Sequence, residues 1–151
     1  MKRIILLASF LLVLSGMAFS ADGANGWVWT KKADAMTDEV HYTFLKMTVD
    51  GNGPAIMLIY VTTDKHWVWG LIAQDSWTDK KTIDVTYRLG KDPAKDEFFI
   101  AEGGRFYTNV NDIAKFVTYP SIVLRPRTGE QDQYDMTGLS KTIKMAGINL
   151  Q

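Results

Sequence analysis

From residue 27 onward, hydrophobic positions recur mostly at a spacing of two. Trp27 and Trp29 open the pattern, with Val28 between them. From Val40, the residues Val40, Tyr42 and Phe44 alternate with His41 and Thr43, the signature of a half-buried strand. Asp50-Gly51-Asn52-Gly53 is a turn, because Gly and Asn accept positive φ. Residues 55–62 are apolar at both parities and read as a central strand, which pairs as a hairpin with the strand from Val40. A short turn at Asp64-Lys65 leads to a strand over 67–72. Ile83, Val85, Tyr87 and Leu89 alternate with Asp84, Thr86 and Arg88. Residues 98–100 and 105–107 flank Glu102-Gly103-Gly104 and predict another hairpin.

The period then changes. Val110, Ile113, Ala114, Phe116 and Val117 fall on one helical face, with Asn109 or Asn111 as N-cap and Pro120 as the stop. Strands follow at 121–125 and 133–136. Leu139, Ile143 and Ala146 predict a last helix ending at Gly147. Eight or nine short strands with two short helices in the second half predict an all-β fold, mainly an antiparallel β-sandwich or barrel-like. No repeat or linker interrupts 21–151, which reads as a single domain.

Residues 1–20 follow a different logic. Lys2 and Arg3 precede an uncharged run whose core, 4–14, is almost wholly apolar. Ala18-Phe19-Ser20 places small residues at −3 and −1 of a cut after Ser20. This is the layout of a secretory signal peptide, and it places the protein in the periplasm or outside the cell. Leu14-Ser15-Gly16 resembles the lead-in to a lipidation site, but Met17 stands where the modified Cys would be, so no stable membrane anchor is expected after cleavage. The chain has 17 basic and 17 acidic residues; losing Lys2 and Arg3 leaves 15 basic, and a net charge of −2. That balance argues against nucleic acid as a partner.

Composition narrows the chemistry. The chain has no cysteine, so no disulfide, thiolate nucleophile or thiolate metal site can form. Ser76, Ser121 and Ser140 lie in no nucleophile motif. His41 and His66 are single histidines on separate strands and predict no metal site. A calcium-loop register at 48–59 puts Ile59 where a bidentate Glu is needed. Asp34, Asp38, Glu39, Asp75 and Asp79 lie near turns, where carboxylates commonly bond their own backbone. No enzyme, metal or cofactor is expected.

Binding candidates remain. Trp27 and Trp29 share a strand face, as do Trp67 and Trp69. Exposed, they would form a stacking platform for cell-wall glycan; buried, they would fill the core. Arg88, Arg105, Arg125 and Arg127 form a cationic strip if their strands are neighbours, and Arg125 and Arg127 share one face.

Several segments together resemble a class of exported bacterial and phage-encoded β-sandwich proteins that includes the VasI-like (TagO-like) proteins associated with type VI secretion. They are Trp27-Val28-Trp29, Met36-Thr37-Asp38, the apolar strand at 56–60, Val85-Thr86-Tyr87-Arg88-Leu89 with Pro93-Ala94, Ile122-Val123-Leu124-Arg125-Pro126, and Tyr134-Asp135-Met136-Thr137-Gly138-Leu139. These relatives often carry a cysteine in the central strand, where Ile59-Tyr60 stands here. The resemblance implies a non-catalytic envelope accessory protein whose partner is another envelope protein.

If the leader is removed as read, the exported protein begins at Ala21. Intact-mass measurement of the protein recovered from the periplasm or medium checks this, and a mass retaining residues 18–20 contradicts it.

Overall fold

The computed structural model of the protein describes residues 18–72, 79–127 and 129–150. Asp75, Ser76 and residues 1–17 of the expected leader lie outside them. Among the described residues, ten antiparallel strands form one continuous sheet: β1 (Ala18–Asp22), β2 (Val28–Ala33), β3 (Val40–Lys46), β4 (Ile56–Val61), β5 (His66–Ile72), β6 (Thr82–Leu89), β7 (Lys95–Glu102), β8 (Arg105–Asn109), β9 (Ser121–Pro126) and β10 (Asp132–Asp135). Two helices come late, α1 (Ile113–Thr118) and α2 (Leu139–Met145). The fold is therefore all-β and antiparallel with two helices in the second half, as the periodicity predicts.

The first five strands lie side by side in chain order. The sheet then continues through β8, β7 and β6, and ends with β9 and β10. β5 is thus the last strand of one half, and its ladder partner in the other half is β8. The two expected hairpins form, β3 with β4 and β7 with β8. The β7–β8 turn is closed by the Glu102–Arg105 pair, and Gly103 and Gly104 both have positive φ, 58° and 77°. That geometry suits glycine, because a Cβ disfavours left-handed backbone.

Register places Trp29, Phe44, Leu58 and Trp69 in one row across β2–β5. This inner face meets Ile83, Val85, Phe99, Leu124 and Tyr134 of the second half in a single core. Ile56, Met57 and Leu58 are all fully buried, so β4 is covered on both faces, as its unbroken apolar run implies. Gly70 of β5 has a different necessity. A Cβ there would sit 1.9 Å from the Phe106 carbonyl oxygen, so β5 and β8 approach closely only because position 70 has no side chain.

The ends of the sheet are tied to the rest of the molecule. At the β10 end, the Val49 amide donates to the Gln133 carbonyl at 3.0 Å, and the buried Tyr134 hydroxyl donates to the Pro54 carbonyl at 2.5 Å. At the N-terminal end, the short 3₁₀ turn at Ala24–Gly26 docks on α2. The Ala24 amide donates to Thr142 Oγ1 at 2.9 Å, and Trp27 Nε1 donates to the Thr137 carbonyl at 3.2 Å.

Two boundaries differ from the sequence reading. The helix expected from Asn109 starts at Ile113, because Asn109 still pairs with Val68 as the last residue of β8. Neither Asn109 nor Asn111 caps it; the N-cap position is Asp112. The other difference is β1, which spans the expected cut after Ser20. Ala18, Phe19 and Ser20 pair with Lys32, Lys31 and Thr30, and only Ala21 and Asp22 pair from beyond that point.

Two stability outcomes follow. Tyr134→Phe leaves the Pro54 carbonyl without this donor, and urea unfolding should show a loss of about 1–3 kcal/mol. Asp132 shows the opposite trend. Burial, and then the negative charges of Asp50 and Glu130, raise its carboxyl above the usual range. The ionised form is thus disfavoured on folding, so stability falls as pH rises through this pKa. Asp132→Asn should raise the melting temperature at pH 7, and the gain should vanish in acid below the carboxylate range.

Candidate functional site

The four tryptophans taken from the sequence as a glycan platform are core residues. Trp27 is 0% exposed, Trp69 1%, and Trp29 and Trp67 8% each. The reason is register. Trp29 and Trp69 sit in the inward row with Phe44 and Leu58, and a strand face turned to the core turns every second residue with it. Trp67 packs its ring 4.9 Å from Tyr60 and 5.9 Å from Phe44. The surface-platform expectation is therefore corrected: no face of these strands offers a pair of exposed indoles.

The polar candidates resolve as well. Asp34 Oδ1 accepts from the amides of Met36 and Thr37 at 2.7 and 3.0 Å, and these bonds hold its carboxyl below the usual range. It is a turn-forming residue, as its position suggests. His41 bonds Glu39, and His66 lies 2.8 Å from Asp64. Val61 of β4 pairs with both histidines, which therefore stand a strand apart, about 10 Å by ordinary sheet spacing. Among the described residues no group of three or more His, Asp or Glu is placed to hold a metal ion.

The arginines give the clearest surface. β6 lies between β7 and β9, and its outward residues are Thr82, Asp84, Thr86 and Arg88. Thr86 pairs with Arg125 and Arg88 with Val123, so Arg88 and Arg125 are diagonal neighbours on one face, about 7–8 Å apart. Both are exposed, and neither has an ion-pair partner among the described residues. They border a shallow groove of ≈ 220 Å³ with Thr86, Ala94, Val123 and Gln131.

The remaining two arginines behave differently. Arg127 shares the face, but its Nη1 lies 3.2 Å from Asp84 Oδ2 and its amide donates to the Asp84 carbonyl at 2.8 Å. It is neutralised and fixed. Arg105 stands opposite Glu102 in the strand register at the β7–β8 turn, beyond the Thr82 end of β6, and does not join the others. The strip expected from sequence therefore reduces to two free arginines and one paired one.

Sequence reasoning missed two residues of this face. Phe98 and Ile100 of β7 are 64% and 60% exposed. Phe98 stands opposite Asp84, and Ile100 opposite Thr82. In the run Phe98-Phe99-Ile100 every residue is apolar, so alternation cannot say which points inward; Phe99, fully buried, takes that place. Asp96, opposite Thr86 on the same face, accepts a 2.6 Å hydrogen bond from Thr86 Oγ1. The outer face of β7, β6 and β9 thus grades from two exposed apolar side chains, through the Asp84–Arg127 pair, to two unpaired guanidinium groups.

No helix among the described residues is long and apolar enough to cross a membrane. Comparison of the chain with protein-family models, with curated proteins and with solved structures gives no match, so the resemblance to the VasI-like class rests on the quoted motifs alone.

Proposed function

We propose that the chain is an exported, soluble, non-enzymatic protein of the cell envelope that acts by protein–protein contact, in a secretion- or phage-associated setting. Its contact surface is the outer face of β7, β6 and β9. The observation that carries this reading is the placement of unpaired Arg88 and Arg125 on the same face as exposed Phe98 and Ile100. Aromatic anchors beside arginine are what protein interfaces concentrate. An isolated solvated sheet face has no need of two adjacent large apolar residues in water. The complementary partner presents apolar side chains next to carboxylates. Guanidinium groups suit that role because their planar fork meets a carboxylate with two parallel bonds.

The signal-peptide layout of residues 1–20 supports export, and the VasI-like motifs support an accessory role. The carboxylates at Asp34, Asp50 and Asp135 bond their own turns, which leaves them structural tasks.

The test uses the exported protein as bait in envelope extracts, beside Phe98→Ser and the double variant Arg88→Glu/Arg125→Glu. Wild type should recover a specific protein, released by raised salt as charged contacts are screened. Each variant should weaken that capture by roughly thirtyfold or more, the scale of an interface hot spot. Equal recovery by wild type and variants, or recovery of background alone, refutes the proposal.

A further inference from the structure

A second concave feature lies on the inner side of β6, away from the contact face. It is a cleft of ≈ 130 Å³ where Tyr87 of β6, Lys95 and Glu97 of β7, and Asn109 of β8 converge under α1. Its floor is aromatic. Trp69 meets Tyr87 edge-on at 4.9 Å and Phe116 at 5.2 Å. Trp69 and Phe116 are buried, so Tyr87, half-buried, is the ring that faces the opening.

The polar groups around this floor divide into fixed and free. Asp92 is fixed: its carboxylate accepts from Tyr119 Oη at 2.8 Å and from Lys115 Nζ at 3.3 Å. Those contacts hold it ionised, below the usual carboxyl range. Glu97 is nearly free, with one long contact of 3.4 Å from Thr108 Oγ1 and no cation in ion-pair range among the described residues. Burial, and then the charge of Glu97, push the Tyr87 phenol up, so it stays protonated at neutral pH. Lys95 and Glu97 are two residues apart on one strand, so both face the same side.

This donor and acceptor set selects among ligands. Three acids, Asp92, Glu97 and Asp112, outnumber the two lysines, Lys95 and Lys115, which disfavours an anion. The available acceptor is Glu97, the available ammonium is Lys95, the phenol can do either, and Asn109 and Asn111 supply amides of both kinds. A ring of hydroxyls needs donors and acceptors in close alternation, and its C–H face needs an apolar or aromatic surface. The volume lies below the ~300–1,000 Å³ of pockets that hold drug-sized ligands, so it admits one ring and not a chain.

We propose that this cleft binds a single neutral sugar residue, seated on the Tyr87 ring and hydrogen-bonded by Glu97 and Lys95. The site is separate from the contact face, so either assignment can fail without the other.

The experiment titrates the exported protein with N-acetylglucosamine, glucose and glycine betaine, following ¹⁵N-resolved indole and amide signals. A sugar should shift the Trp69 indole and the β6 and β7 amides saturably, with the Trp27 and Trp29 indoles unmoved. Glu97→Gln and Tyr87→Phe keep the shape of the site, and each should weaken that sugar by about tenfold. No shift with either sugar overturns the proposal, as does unchanged affinity in both variants. Saturable shifts from betaine alone would overturn it too, in favour of an ammonium site.

Discussion

The two halves of the sheet are held in register by what surrounds Trp69. This residue lies on β5, the strand where the first half of the sheet ends. Its ring packs against Tyr87 of β6, Phe99 of β7 and Phe116 of α1, each with centroids about 5 Å away. Four elements thus meet on one indole. In a chain without cysteine no covalent link supports them. Removing such a buried ring costs about 3–5 kcal/mol, against a total stability of about 5–15 kcal/mol for a domain. The close approach of β5 to β8 at Gly70 belongs to the same constraint, since it brings the β8 side of the second half up to the indole.

Both surfaces discussed above derive from β6 and its neighbours. Thr86 and Arg88 point outward toward Arg125, while Tyr87 between them points inward toward Glu97. The strand period of two thus assigns alternate residues to two different environments. A shift of β6 by one residue would exchange them and turn Ile83, Val85 and Leu89 out of the core.

The sequence made the strands legible where one face is apolar and the other polar, as in β3 and β6. It also made both hairpins legible, through Asp50–Gly53 and Gly103-Gly104. It was less informative where apolar residues are contiguous. Phe98 and Phe99 look alike in sequence, yet one is in solvent and the other in the core. The tryptophans were ambiguous for a related reason: a large aromatic is equally suited to core and platform, and the sheet face it occupies is decided by partners far along the chain. The arginine pair depended on β6 lying beside β9, a contact made across the intervening β7, β8 and α1. Nothing local encodes that adjacency. The helix boundary at Ile113 was misplaced because Asn109 serves equally as an N-cap and as the end of a strand, and pairing with Val68 prevailed.

The bond from the Ala24 amide to Thr142 joins residues 118 positions apart. Thr142 also donates its hydroxyl to the Gly138 carbonyl, so the receiving atom is in place only when the last helix has formed. An early segment of the fold is therefore fastened by a late one, so this contact closes a loop of more than a hundred residues. Until residues 137–142 are in place, the Ala24 amide lacks its Thr142 acceptor and the Trp27 indole N–H lacks the Thr137 carbonyl.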